Sequence, residues 1–164
     1  MTTIYVDNIA PNLQSKVSAP NLQMPAGSVI KTTRWTSSNF NGTTSTTSSF
    51  VTLDTLSLTA TPGNLIHVTG AFPSRGNNGS TWQLTIFKFN DAVSGDVWES
   101  GYNGANTYEA ILNAPLAFSY TWAGAATHNV SMLVQSYSGT RYYGSSNQTG
   151  NTSTPVITIM EIAQ

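Results

Sequence analysis

Hydrophobic and polar positions alternate along most of this chain with the two-residue period of strands, and nowhere with the 3.6-residue period of a helix. Leu56, Leu58 and Ala60 alternate with Ser57 and Thr59, and Val130, Met132 and Val134 repeat the pattern. Leu116, Phe118, Tyr120 and Trp122 make an aromatic stripe on one face of a strand. The closing run Pro155-Val156-Ile157-Thr158-Ile159-Met160-Glu161-Ile162 is apolar on both faces apart from Thr158 and Glu161. It predicts a strand covered on both sides, with Glu161 needing solvent or a hydrogen-bonding partner.

Turn signals separate these runs. A first strand over residues 29–35 leads into a Ser, Thr, Asn and Gly loop at 37–49, whose polarity predicts a surface position. Thr61-Pro62-Gly63-Asn64 has the Pro and Gly placement of a type II turn, and residues 65–72 are expected to return as the antiparallel partner of 56–60. Residues 75–79 turn again before a strand at 82–89 with apolar residues on both faces. Residues 91–95 turn into Val97-Trp98-Glu99, and 101–106 is another Gly and Asn loop. Residues 108–112 fit either a short strand or one helical turn. Ser138 and Gly139 centre a hairpin turn, and a polar loop at 145–154 precedes the last strand. The expectation is an all-β fold, a single antiparallel, jelly-roll-like β-sandwich over residues 29–164.

Residues 1–28 differ in kind. Residues 3–9 alternate like a short strand, and Ala10-Pro11-Asn12-Leu13-Gln14 recurs as Ala19-Pro20-Asn21-Leu22-Gln23. Pro at both equivalent positions disfavours helix and central strand, so the stretch reads as an extended N-terminal arm. Ile4, Val6, Ile9, Leu13, Val17, Leu22 and Met24 give it more apolar surface than suits water, which points to docking on another subunit.

Composition narrows the functions. The chain has 164 residues, enough for one domain with a core, and only 8% are charged. Its four Trp, seven Tyr and six Phe argue for packing rather than disorder. Six scattered Lys and Arg and a net charge of -1 make no patch for phosphates, so nucleic acid is not an expected partner. No apolar run is long enough for a membrane span and no signal peptide is recognisable, so a protein made and kept in the cytoplasm, or released by lysis, is expected. The absence of Cys removes disulfides, thiolate metal sites and thiol nucleophiles.

Candidate chemistry is sparse. His67 and His128 lie inside strands with no His, Asp or Glu at ligand spacing and read as structural. No Gly-x-Ser-x-Gly turn occurs. Asp91, Asp96 and Glu99 share a loop region without any known calcium-loop spacing, and read as solvated turn carboxylates. The pairs Asp96 with Glu99 and Glu109 with Glu161 are the nearest approach to a glycosidase couple. Asn-x-Ser/Thr sites at Asn41, Asn78, Asn129, Asn147 and Asn151 follow from composition. Trp35, Trp82, Trp98, Trp122 and the pair Tyr142-Tyr143 suit sugar stacking only if exposed. Trp82 and Trp122 are expected inside, which leaves Trp98 as the ligand-binding candidate. No catalytic residue, metal or cofactor is assigned.

Several stretches resemble a β-sandwich domain of virion proteins of tailed bacteriophages, especially marine and cyanobacterial ones. They are Ala26-Gly27-Ser28-Val29-Ile30, the run from Leu56 through Pro62 to Leu65-Ile66-His67-Val68, and Ile157-Thr158-Ile159-Met160-Glu161-Ile162. The opening Ile4-Tyr5-Val6-Asp7-Asn8-Ile9 is similar to the start of many of those proteins. The chain departs from the pattern at Gly63-Asn64, where Ser-Lys is usual, and has no long stalk segment. The resemblance implies a non-enzymatic component of a head, fibre or tail. As a capsid decoration or cement protein it would be a homotrimer bound to major capsid or other virion proteins. As a tail-fibre or spike tip it would bind host surface glycans through Trp98 and the neighbouring loops.

Overall fold

The computed structural model describes residues 24–44, 49–76, 83–100, 103–105, 111–136, 141–144 and 154–164. Among them are eleven strands and one 3-10 turn. In chain order these are β1 (Val29–Trp35), the turn Ser38–Phe40, β2 (Gly42–Thr44), β3 (Val51–Thr59), β4 (Leu65–Gly76) and β5 (Gln83–Asp91). There follow β6 (Gly95–Glu99), β7 (Asn103–Ala105), β8 (Ile111–Thr121), β9 (Thr127–Ser136), β10 (Arg141–Tyr143) and β11 (Ile157–Ile162).

Every pairing is antiparallel. One sheet runs β1-β11-β4-β8, with β10 and β2 added beside the far end of β4; the other runs β3-β9-β5-β6, with β7 added to β5. Of the strands with five or more residues, the first pairs with the eighth, the eighth with the third and the third with the sixth in one sheet. In the other the order is second, seventh, fourth, fifth, so the chain keeps crossing between layers. This is the wiring of a jelly-roll sandwich. The expected fold class is therefore the observed one.

Two expected hairpins are not there. The turn at residues 61–64 has the expected geometry, with Gly63 at φ 94° and Asn64 N–H bonded to Thr61 O at 3.1 Å. It nevertheless carries the chain across the sandwich: β3 pairs with β9, while β4 pairs with β11 and β8. Likewise β10, after the predicted turn at 138–139, pairs with β4 and β2 and not with β9. Local turn chemistry sets a reversal of direction; which sheet receives the next strand depends on distant partners.

The core lies between the sheets and is strongly aromatic. Trp35, Phe40, Phe72, Phe87, Phe89 and Trp122 are buried together with Leu58, Leu116, Val130, Met132, Ile157 and Ile159. Edge-on ring pairs run from Trp35 to Phe40 at 5.1 Å, from Phe40 to Phe72 at 5.1 Å and from Phe89 to Phe118 at 5.3 Å. Such pairs contribute about 0.5–1.5 kcal/mol beyond area burial. Phe40 is the surprise, because it sits in the polar stretch expected on the surface. The 3-10 turn, whose Asn39 N–H donates to Ser37 Oγ at 3.1 Å, carries the ring into the core.

β11 lies between β1 and β4, as a buried strand should, but only one of its faces is fully covered. Ile157, Ile159 and Glu161 are buried, whereas Thr158, Met160 and Ile162 are half-buried on the outer face. Glu161 has found partners. Its Oε1 accepts from Thr61 N–H at 2.8 Å and from Asn64 Nδ2 at 2.7 Å, tying the crossing turn to the last strand.

Candidate functional site

Among the described residues a dense polar cluster lies inside the fold, centred on Asp91, the last residue of β5. Expected as a solvated turn carboxylate, Asp91 is completely buried. Its Oδ1 accepts from the N–H groups of Val93 and Ser94 at 2.8 and 2.9 Å, closing the turn into β6. Its Oδ2 accepts from Tyr120 OH at 3.0 Å and pairs with His128 Nε2 at 2.9 Å. The reason is the two-state cost of a buried carboxylate: desolvation penalises it unless donors saturate both oxygens. Burial pushes the Asp91 carboxyl up, but the bonds from Ser94, His128, Val93 and Tyr120 together outweigh it and leave the carboxyl below its ordinary value. The Tyr120 phenol is pushed far up by burial and then by the Asp91 charge.

His128 is structural, as its strand position suggests. Its ring stacks on Trp122 at 3.6 Å and 9°, and its Nδ1 faces the Ala125 carbonyl at 3.2 Å. With a carbonyl on one nitrogen and a carboxylate on the other, no ring nitrogen is left to activate a nucleophile. His67, the other histidine, has Nδ1 at 2.7 Å from Ser119 Oγ on the outer face of the β1-β11-β4-β8 sheet.

Asp96 and Glu99 are on the surface, and Lys88 sits between them at 2.7 and 3.2 Å with its ammonium 4.1 Å from the Phe50 ring centre. The Lys88 bond, then that of Asn90, holds the Asp96 carboxyl below its ordinary value. A couple bridged by one ammonium is an ion-pair network, and among the described residues no group of three or more His, Cys, Asp or Glu could hold a metal. Glu109 lies outside the described residues.

Trp98 on β6 is half-buried, and its ring stacks on Phe118 of β8 at 5.7 Å and 13°. The stack bridges the open side between the two sheets. Trp35 and Trp122 are in the core; Trp82 lies outside the described residues.

Of the arm residues, Ile4, Val6, Ile9, Leu13, Val17 and Leu22 lie outside the described residues, and Met24 is 47% exposed. The arm's root is held against the end of β11: Gly27 N–H donates to Ala163 O at 2.8 Å and Ala163 N–H to Ser28 O at 2.9 Å. Beside it Val29 and Ile30 are exposed. Cross-strand register extends this apolar spot over the outer face, where Val29 stands opposite Ile162 and Ile162 opposite Leu65. The next rows, Thr32-Met160-His67-Ser119 and Arg34-Thr158-Thr69-Ala117, are mostly polar. An apolar end on an otherwise hydroxyl-rich face was not legible in the sequence, because it needs the register of three strands.

No family model matches the chain, and no curated protein sequence matches it. Solved structures do. The chain is similar to a structure of T=1 particles derived from infectious bursal virus, with a TM-score of 0.52 and 11% identity over 92% of this chain. The likeness is one of fold. Structures of the Gt and Gx strains of infectious bursal disease virus each give a TM-score of 0.50 over 92% of this chain, at 9% and 10% identity. The chain spans 40–42% of the length of these three solved chains. It thus has a β-sandwich fold like that of these virus-particle structures, which come from a bursal disease virus.

Proposed function

We propose that this chain is a non-enzymatic surface protein of a virus particle, a capsid decoration or cement protein of a tailed phage that assembles as a homotrimer. The observation that carries this reading is the jelly-roll wiring shared with particle-forming chains, joined to an apolar spot at the root of an apolar arm. A strand-like arm with spaced Ile, Val and Leu gains by lying on a neighbouring sheet or in a groove between subunits. The commitment of both His128 nitrogens and the bridging of Asp96 and Glu99 by Lys88 agree with a structural role.

The test is removal of residues 1–25. The truncated chain is expected to keep the folded sandwich by circular dichroism and thermal unfolding, and to lose association with purified particles. Particle binding at full-length strength would reject the reading.

A fibre or spike tip that binds host glycans is the second reading, favoured by the half-buried Trp98. Selective binding on a glycan array, abolished by Trp98→Ala, would replace the first reading with this one.

A further inference from the structure

Among the described residues the sandwich has four sheet-edge strands of five or more residues, and they are not equivalent as receptors for an added strand. β3 carries Asp54, and β6 carries Asp96 and Glu99. β8 has no charge but contains Pro115, which lacks the amide donor an added strand needs. β1, with sequence VIKTTRW, is proline-free and carries two cations and no acid. Among the described residues its only partner strand is β11, and beyond that pairing hydrogen bonds come from two of its side chains. Lys31 Nζ donates to Thr59 O at 3.1 Å, and Trp35 Nε1 to Asp54 at 3.0 Å. Arg34 is exposed and forms no ion pair among the described residues.

The arm supplies a matching strand. Residues 3–9 are seven in number, as is β1, and they hold the only acid in the first 23 residues, Asp7. Like charge would set Asp7 against the β3 and β6 edges; opposite charge favours β1. Side-chain parity adds an independent fit. Arg34 lies on the outer face and Thr33 and Trp35 on the inner, so an Asp7 beside Arg34 puts Tyr5 and Ile9 outside. Ile4, Val6 and Asn8 then fall on the inner face, so two of the three side chains on the core side are apolar.

We infer that the free edge of β1 receives residues 3–9 of a second copy of this chain as an added strand, with Asp7 beside Arg34. This rests on the reading of the arm as an assembly element and names the surface it uses. Exchange of such arms around a closed ring links each copy to the next, which is what a cyclic homo-oligomer requires.

Because the chain contains no Cys, a single introduced pair reports unambiguously. Full-length chains carrying Thr33→Cys alone are mixed with differently tagged full-length chains carrying Val6→Cys or Asn8→Cys alone, under mild oxidation. The expected result is a disulfide-linked heterodimer with at least one of the two arm positions, and at least tenfold less with Thr55→Cys on β3. Arg34→Glu is expected to lower the yield and Asp7→Lys to restore it. No heterodimer at position 33, or equal capture at position 55, overturns the inference. An arm folded on its own β1 also yields none, since neither chain holds both cysteines. The two ideas fail separately: loss of particle binding on truncation without capture at position 33 sinks this inference alone, and retained particle binding sinks the assembly reading.

Discussion

At the residue scale, two carboxylates of similar sequence context have opposite fates. Asp91 and Asp96 both flank the β5–β6 turn, yet one is buried with four donors and the other sits half in water on Lys88. Removing a buried, fully bonded charge strands its partners, so Asp91→Ala is expected to cost about 3–5 kcal/mol. Asp96→Ala removes an exposed ion pair and is expected to cost about 0–1 kcal/mol. Urea unfolding of both variants checks the contrast; equal midpoints would contradict it.

The same reasoning predicts an acid limb. Asp91 and Glu161 both have carboxyls lowered in the fold. For Glu161, burial opposes the shift and is outweighed by the Thr61 and Asn64 bonds and the charge of Lys31. A lowered folded value means the stabilisation is complete above the unfolded value of about 4 and disappears as pH falls through the folded value. Stability measured from pH 7 downward is expected to stay level to about pH 5 and then decline. Glu161→Gln is expected to make that decline shallower, and an unchanged slope would count against the role given to Glu161.

At the element scale, short irregular pieces matter as much as long strands. The 3-10 turn at Ser38–Phe40 inserts Phe40 among Trp35 and Phe72, with no exposed surface. Phe40→Ala is expected to cost about 3–5 kcal/mol, as for a core aromatic, whereas a solvent loop residue would cost less than about 0.5 kcal/mol. Thermal unfolding of that variant distinguishes the two. The turn is locked from the other side by Gly144, at φ 70°, where a Cβ would collide with the Phe40 carbonyl and Asn41. Polarity over residues 37–49 conceals this, since one Phe in a Ser and Thr stretch makes no periodic signal. The strands were legible for the opposite reason: alternation over β3, β8 and β9 is long, and Leu58, Leu116, Met132 and Val134 are buried as alternation requires.

At the scale of the whole molecule, low charge shapes association. With 8% charged residues and an apolar spot at Met24, Val29 and Ile30, the proposed assembly would rest on burial and backbone pairing. Self-association is therefore expected to change less than about threefold between 0.05 and 0.5 M salt, because screening acts mainly on exposed charges. Sedimentation at the two salt concentrations reads this directly, and dissociation at high salt would point to ion pairs instead. Candidate sites were less legible than the fold. Trp98, expected as a ligand-binding candidate, is half-buried, and its stacking on Phe118 depends on residues 20 apart in the chain meeting from two different sheets.

The sequence by itself determined the β class, the type II turn at Gly63, the aromatic stripe from Leu116 to Trp122 on one face of a strand, and the need of Glu161 for a partner. Those follow from period, turn chemistry and desolvation, which act over a few residues. Only the tertiary structure decided that residues 56–60 and 65–72 lie in different sheets, that Asp91 is buried against His128, and that β1 is the last strand of its sheet among the described residues. Each of these depends on strands brought together from distant parts of the chain, where pairing and burial are settled by all the layers at once.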